Sequence, residues 1–174
     1  QMTDPIHRVA PQASMQVLRN AVPVPDENPY DPERSSLLML GRLGSRKGVY
    51  DLLEVLRQID DQLPPEVECF LCGDGEVEKV REYVRRYGLA HRVTWVGWAD
   101  GAQRQKLMEL AGIHILPSYH EALPMAILET MAAGLPNIST EIASIPEVIE
   151  HGRTGLLIRP GDREALAEAS LSLL

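Results

Sequence analysis

Apolar and polar positions along this chain fall into two alternating patterns. Leu37-Leu38-Met39-Leu40 is an unbroken apolar run closed by Gly41, as expected of a strand buried on both faces. Val49, Leu52, Leu53, Leu56, Ile59 and Leu63 then recur at helical spacing, and Pro64-Pro65 ends the helix they predict. The alternation continues with a strand over 67–72, then a helix marked by Val77, Val80, Val84 and Tyr87 with Gly88 as its stop. Further strands are predicted over 93–96, 113–116, 136–139 and 156–158. Helices are predicted from an Asp100 cap to about Ala111, from about Pro124 to Ala133, over 145–150, and from Arg163 to Leu174. Strands alternating with helices across short connections imply an α/β fold. The expected form is a Rossmann-like parallel sheet of about six strands with helices on both faces. Ligands of such sheets gather at the carboxyl ends of the strands, which directs attention to loops 41–48, 73–75, 97–101, 117–124 and 139–146.

The first 36 residues follow neither pattern and hold six of the 13 prolines. Residues 1–16 therefore read as a leader or interdomain tail, and 17–174 as one domain. Gln1-Met2 is not a native start, and Leu174 falls inside the last helical pattern with no Gly, Asn or Pro stop. The expectation is a piece of a longer protein, truncated in its last helix. With 44% hydrophobic residues the chain can build a core. Its net charge of −8, from 17 basic and 25 acidic residues, shows no basic stripe and argues against a nucleic-acid partner. No apolar run approaches the roughly 20 residues of a membrane span, and no signal peptide is visible, so a cytoplasmic location is expected. Two cysteines exclude a disulfide-dense scaffold.

The loop Gly41-Arg42-Leu43-Gly44-Ser45-Arg46-Lys47-Gly48 leaves a strand and enters a helix, where backbone amides and the helix dipole favour an anion. Arg42 and Lys47 add two charges, although alone the loop fits a solvated basic turn equally well. It is no Walker A loop, because Lys47 is followed by Gly48. Gly73-Asp74-Gly75 is half of a dinucleotide fingerprint, and Asp74 reads better as part of a tight turn. In Pro117 to Glu129, Glu121 precedes a helix and Glu129 lies inside an otherwise apolar one, where an acid is costly without partners. A hydroxyl-rich, negatively charged ligand accounts for both acids. So do an N-cap acid and an ion-paired helix acid.

Taken together these stretches resemble a family. Gly41-Arg42-Leu43 with Lys47-Gly48, the Glu121/Glu129 pair eight residues apart, the stretch Ser118–Gly134 and Ile145-Pro146-Glu147 are similar to group 1 retaining glycosyltransferases, in family order and over about residues 17–174. That family has two facing Rossmann-like domains, the GT-B architecture, and the resemblance is to the C-terminal, donor-binding one. It implies a nucleoside-diphosphate sugar as donor substrate, no metal or other cofactor, and an absent N-terminal domain that binds the acceptor and makes any membrane contact. It further implies that Arg42 and Lys47 hold the diphosphate, that the amides of Leu123 and Met125 cradle phosphate, and that Trp98 and Ala99 lie against the base. Glu129 would bind the ribose, and Glu121 would contact the transferred sugar. Glu121, Arg42 and Lys47 would be the catalytic groups of a hexosyl-type transfer for polysaccharide or glycoconjugate synthesis, with this piece inactive alone.

Three stretches depart from the family pattern: Asn20-Ala21-Val22-Pro23 for Asn-Gly-Val-Asp, Ala143-Ser144 for Gly-Gly, and a polar Asn137-Ile138-Ser139-Thr140 for a valine-rich strand. Competing readings are a non-catalytic nucleotide-binding subunit that needs a separate partner, a nucleotide-sugar epimerase of the same architecture, and a hydrolase using Glu121 and Glu129 as its acid and base. Cys69 and Cys72 lie three apart on a strand, point to opposite faces and read as core thiols rather than zinc ligands. His7, His91, His114 and His151 share no motif and read as structural or surface residues. His120, adjacent to Glu121, could face the cleft but reads more readily as a residue without ligand contact, Trp95 reads as core or as the other face of the sheet, and the charge run Glu82–Arg86 reads as a solvated helix face.

Overall fold

The computed structural model describes residues 8–14, 18 and 20–174. Gln1, Met2 and His7 lie outside the described residues, as does much of the expected leader 1–16. Six parallel strands form one sheet: β1 Leu37–Leu40, β2 Cys69–Cys72, β3 Val93–Gly97, β4 Ile113–Leu116, β5 Asn137–Thr140 and β6 Gly155–Ile158. They connect through α1 Val49–Ile59, α2 Val77–Arg86, α3 Gly101–Leu110 and α4 Met125–Ala132, and α5 Arg163–Leu173 follows β6. The strand order β3-β2-β1-β4-β5-β6 is that of a doubly wound dinucleotide-binding sheet, and the winding reverses between β1 and β4.

The unbroken apolar run of β1 is explained by layers on both sides of the sheet. Leu37 and Met39 join one core cluster, with Leu52 and Leu56 of α1, Val80 of α2 and Leu166 of α5. Leu38 and Leu40 join the other, with Ala99, Ala111 and Leu135, against which Leu107 and Met108 of α3 and Ala126 of α4 pack. Cys69 and Cys72 divide between the same two clusters, as their spacing requires. Burial pushes the Cys69 thiol up to about 12, which leaves it an inert core group.

Several element ends differ from the sequence expectation. α1 stops at Ile59 rather than Leu63. Asp60 accepts from Arg92 Nε at 2.5 Å, and the chain turns with Leu63 N–H bonded to Ile59 O. Val67 N–H closes a turn on Pro64 O, so β2 begins at Cys69 and not at 67. Only one 3₁₀ turn, Ile145–Glu147, forms where a helix to residue 150 was expected. The Asp100 cap is as expected, with Gln103 completing a reciprocal capping box.

The polar strand β5 finds its partners across the sheet. Asn137 Oδ1 sits 2.6 Å from His114 Nδ1 and 3.0 Å from Thr130 Oγ1, while Ser139 Oγ donates to Leu116 O and Thr140 Oγ1 to Ser118 O. All four of these side chains other than Asn137, and Asn137 itself, replace apolar packing with hydrogen bonds inside the core. Ala143, standing where the resembling family has glycine, adopts φ 49°, the left-handed region that costs a side chain roughly 1–2 kcal/mol.

Candidate functional site

The loops after β1 and β4 flank the point where the winding reverses, and they press closely together. Gly48 closes a 3₁₀ turn over Ser45–Lys47 at φ 74°, and a Cβ there would lie 2.0 Å from Pro117 O. Tyr119 N–H donates to Arg46 O at 2.9 Å, a second tie between the loops. Beside them, at the carboxyl ends of β1 and β2, opens a cavity of about 370 Å³. Its wall carries three cations, Arg42, Lys47 and Arg104, and one acid, Asp74. Trp98, Ala99, Pro124 and Met125 form the rest of its rim and side.

The structure therefore brings Arg42, Lys47, Trp98, Ala99 and Met125 to one cavity. Trp98 is 73% exposed, leaving its ring open to stacking, whereas Ala99 is buried. Met125 opens α4, so its N–H has no acceptor within the helix. Leu123 is half-buried in the preceding loop and does not line the cavity. Glu121 stands one step behind the wall. Its Oε1 is 2.5 Å from Lys47 Nζ and accepts from Ser118 Oγ at 2.7 Å. The carboxylate is 5% exposed, so the ion pair is largely shielded from water and orients Lys47 firmly.

Glu129 departs further from expectation. It does not line this cavity but a neighbouring groove of about 480 Å³, whose other walls include Val22, Pro23 and Pro25. Its partner is Arg104 of α3, through Nη2, and Arg104 lines both spaces. The acid in an apolar helix thus has the partner its burial demands. His120 does not face the cavity either. It lines a separate depression with Arg46, Asp51, Tyr119 and Arg163. There Asp51 ties α1 to α5, accepting from Arg163 Nε at 2.6 Å and from Tyr119 Oη at 2.7 Å, and the carboxylate beside Tyr119 raises its phenol.

Sequence reasoning missed Arg104 and Cys72 on the cavity wall and left Asp74 to a turn. Arg104 lies four residues after the Asp100 cap, where an arginine reads as an ordinary solvated helix residue. Cys72 read as core, and burial does raise its thiol. Trp95 is half-buried, its indole N–H donating to Gly73 O at 3.0 Å beneath the Arg81 guanidinium. His91 and His151 serve local backbone and side-chain bonds away from the cavity. Among the described residues no three His, Cys, Asp or Glu side chains gather as a metal site, and no helix is long and apolar enough to cross a membrane.

Known proteins share this fold. The 2-deoxystreptamine N-acetyl-D-glucosaminyltransferase of Niallia circulans is 27% identical over 142 residues, which cover 81% of this chain and 36% of that enzyme. The apo lipopolysaccharide outer core galactosyltransferase WaaB superposes with a TM-score of 0.79 at 29% identity, over 97% of this chain and 49% of that one. The Anabaena protein HepE, in complex with UDP and glucose, superposes with a TM-score of 0.70 at 27% identity, over 80% and 38%. The chain spans about a third of the length of the curated relatives it matches. The fold is that of a GT-B Rossmann-like domain. The glycosyl transferases group 1 family model matches residues 34–174, and the chain belongs to that family.

Proposed function

We propose that this domain binds the nucleoside-diphosphate sugar donor of a glycosyltransferase, and that the longer protein passes the sugar to an acceptor hydroxyl with retention of anomeric configuration. One observation carries the reading. A chain of net charge −8 gathers three cations around a single cavity at the switch point of its sheet. Such local concentration against the overall charge suits an anionic ligand. The UDP complexes of HepE support a nucleoside diphosphate as that ligand.

In this reading the diphosphate lies against Arg42 and Lys47, with the Met125 amide at the start of α4 as a further donor. The base stacks at Trp98 beside Ala99, and the ribose reaches past Arg104, which lines both spaces, to the neighbouring groove where Glu129 accepts from its hydroxyls. Both Glu121 contacts fall on Oε1, so Oε2 is the oxygen that meets the transferred sugar. As the bond from the anomeric carbon to the diphosphate oxygen breaks, negative charge grows on the leaving diphosphate. Lys47 and Arg42 are placed to stabilise it, which assigns no metal or cofactor to the step. The acceptor is oriented by an N-terminal domain. Glu121 and Glu129 are paired to different cations, the first behind the cavity wall and the second on the neighbouring groove, an arrangement that does not suit a two-carboxylate hydrolase. Product analysis separates transfer from epimerisation, and turnover without an added subunit separates it from a partner-dependent binding role.

The test is calorimetric titration of UDP, GDP and ADP and their sugars into the full-length protein, with Lys47→Ala alongside. One nucleoside diphosphate is expected to bind. The substitution should weaken it by about 10- to 100-fold, as loss of a charged hydrogen bond worth about 1.5–3 kcal/mol requires. A folded full-length protein that binds none of them overturns the reading.

A further inference from the structure

We propose that Arg104 selects the nucleobase of the donor, favouring a base that presents a keto oxygen, uracil or guanine, over the amino-bearing cytosine and adenine. The proposal rests on the donor-binding reading and deepens it. Arg104 lines the same cavity as Trp98 and Ala99, at which that reading puts the base, and it follows them in the first turn of α3. Its backbone is fixed there, its N–H bonded to Asp100 O at 2.8 Å next to the Asp100–Gln103 capping box. Its guanidinium is fixed by Glu129 through Nη2 alone. The side chain is 33% exposed and lines both the cavity and the neighbouring groove.

A guanidinium offers five N–H donors and no acceptor. Held in one orientation, it matches a base edge that accepts, such as O4 of uracil or the O6 and N7 of guanine. The N4 amino group of cytosine and the N6 amino group of adenine would set donor against donor at the same place. Once the bound base covers the guanidinium from water, an unmet donor pair costs more than a hydrogen bond gains, which makes the discrimination strong for so small a chemical change. The ion pair to Glu129 spares the ligand the ordering of a long side chain, so the preference is built before the nucleotide arrives.

The experiment measures dissociation constants of UDP, GDP, CDP, ADP and inorganic pyrophosphate for the full-length protein and for its Arg104→Gln and Lys47→Ala variants. Wild type is expected to bind UDP or GDP at least about tenfold tighter than CDP and ADP, and the better of the two names the base. Arg104→Gln, whose amide both donates and accepts, should bring all four to within about threefold of one another, whatever affinity for pyrophosphate the lost charge removes. Lys47→Ala should weaken all four and pyrophosphate while keeping their ratios. A test that needs no variant replaces the keto oxygen by sulfur. The 4-thio analogue of UDP, or the 6-thio analogue of GDP, should bind wild type at least about fivefold weaker than its parent. Retained ratios in Arg104→Gln, a wild-type preference for CDP or ADP, or equal binding of the thio analogue each overturn the proposal and leave donor binding standing. Failure of every diphosphate to bind overturns donor binding and this proposal with it.

Discussion

His114 is fully buried between two strands, and its chemistry sets a pH dependence. Nδ1 meets Asn137 Oδ1, whereas Nε2 has no partner among the described residues. Burial pushes the imidazole down to about 4 from an ordinary value of 6.5, outweighing the Asn137 bond, which favours the charged form. The unfolded chain takes up the proton near 6.5 and the folded one only near 4, so between those values the unfolded state binds more protons. Stability contributed by neutral His114 is complete above about 6.5 and lost as the pH falls towards 4, by an amount on the order of 3 kcal/mol. Asp60, held down by Arg92, weakens only below its ordinary 3.8, and so lies beyond this window. Urea unfolding at pH 7 and pH 4.5 is expected to show the loss in wild type and a much flatter response in His114→Phe, even if that variant is less stable throughout. Equal slopes would contradict the assignment. The same residue shows why a polar β5 was visible in the sequence without its reason. His114 and Asn137 are 23 positions apart, and only the pairing of β4 with β5 makes them neighbours.

Among the elements, the approach of the β1–α1 loop to the end of β4 decides whether Lys47 and Glu121 meet. Gly48 permits it in two ways, by its left-handed φ and by lacking a Cβ that would strike Pro117 O. Gly88 has nearly the same φ, 72°, but nothing within 4 Å of its Cβ position. Gly88→Ala should therefore cost only the conformational term, about 1 kcal/mol, and leave nucleotide affinity unchanged. Gly48→Ala should cost about 2 kcal/mol or more and also weaken diphosphate binding, because the loop carrying Lys47 must move. Denaturant midpoints and calorimetry on both variants check this, and equal losses at the two glycines would refute the role of the close approach. The elements themselves were largely legible, because apolar runs buried on both faces and helical periodicity are local signals. Their ends were not, where a distant group intervenes, as Arg92 does at Asp60. The site was legible to the extent that it is loop sequence: Arg42, Lys47 and Trp98 lie at strand ends and reach the cavity. Arg104 comes from a helix face whose direction only the packed sheet fixes, and its partner Glu129 lines the neighbouring groove rather than the cavity.

At the scale of the molecule, a domain matching about a third of its relatives' length has to be judged by what a third can do. On the proposed reading, the cavity offers cations to a leaving diphosphate and an aromatic ring to a base. Transfer further requires an acceptor hydroxyl held within reach of the anomeric carbon, on a trajectory that only a second surface can define, and much of the rate of such a step comes from that positioning. Water, which needs no second surface, is the acceptor such a half-site would admit. The chain alone is therefore expected to bind the nucleotide yet transfer no sugar to an acceptor, releasing it to water at most slowly. The full-length protein is expected to turn over. Its product should carry the same anomeric configuration as the donor, read from the proton coupling at the anomeric position at early times, before any exchange in solution. An inverted product would remove retention from the proposal while leaving donor binding in place. Acceptor transfer by the isolated chain at a rate comparable to the full-length protein would overturn the need for a second domain. The two measurements test the chemistry of the step and the division of labour separately, since on the proposed reading the cations would stabilise a leaving diphosphate in either stereochemical course.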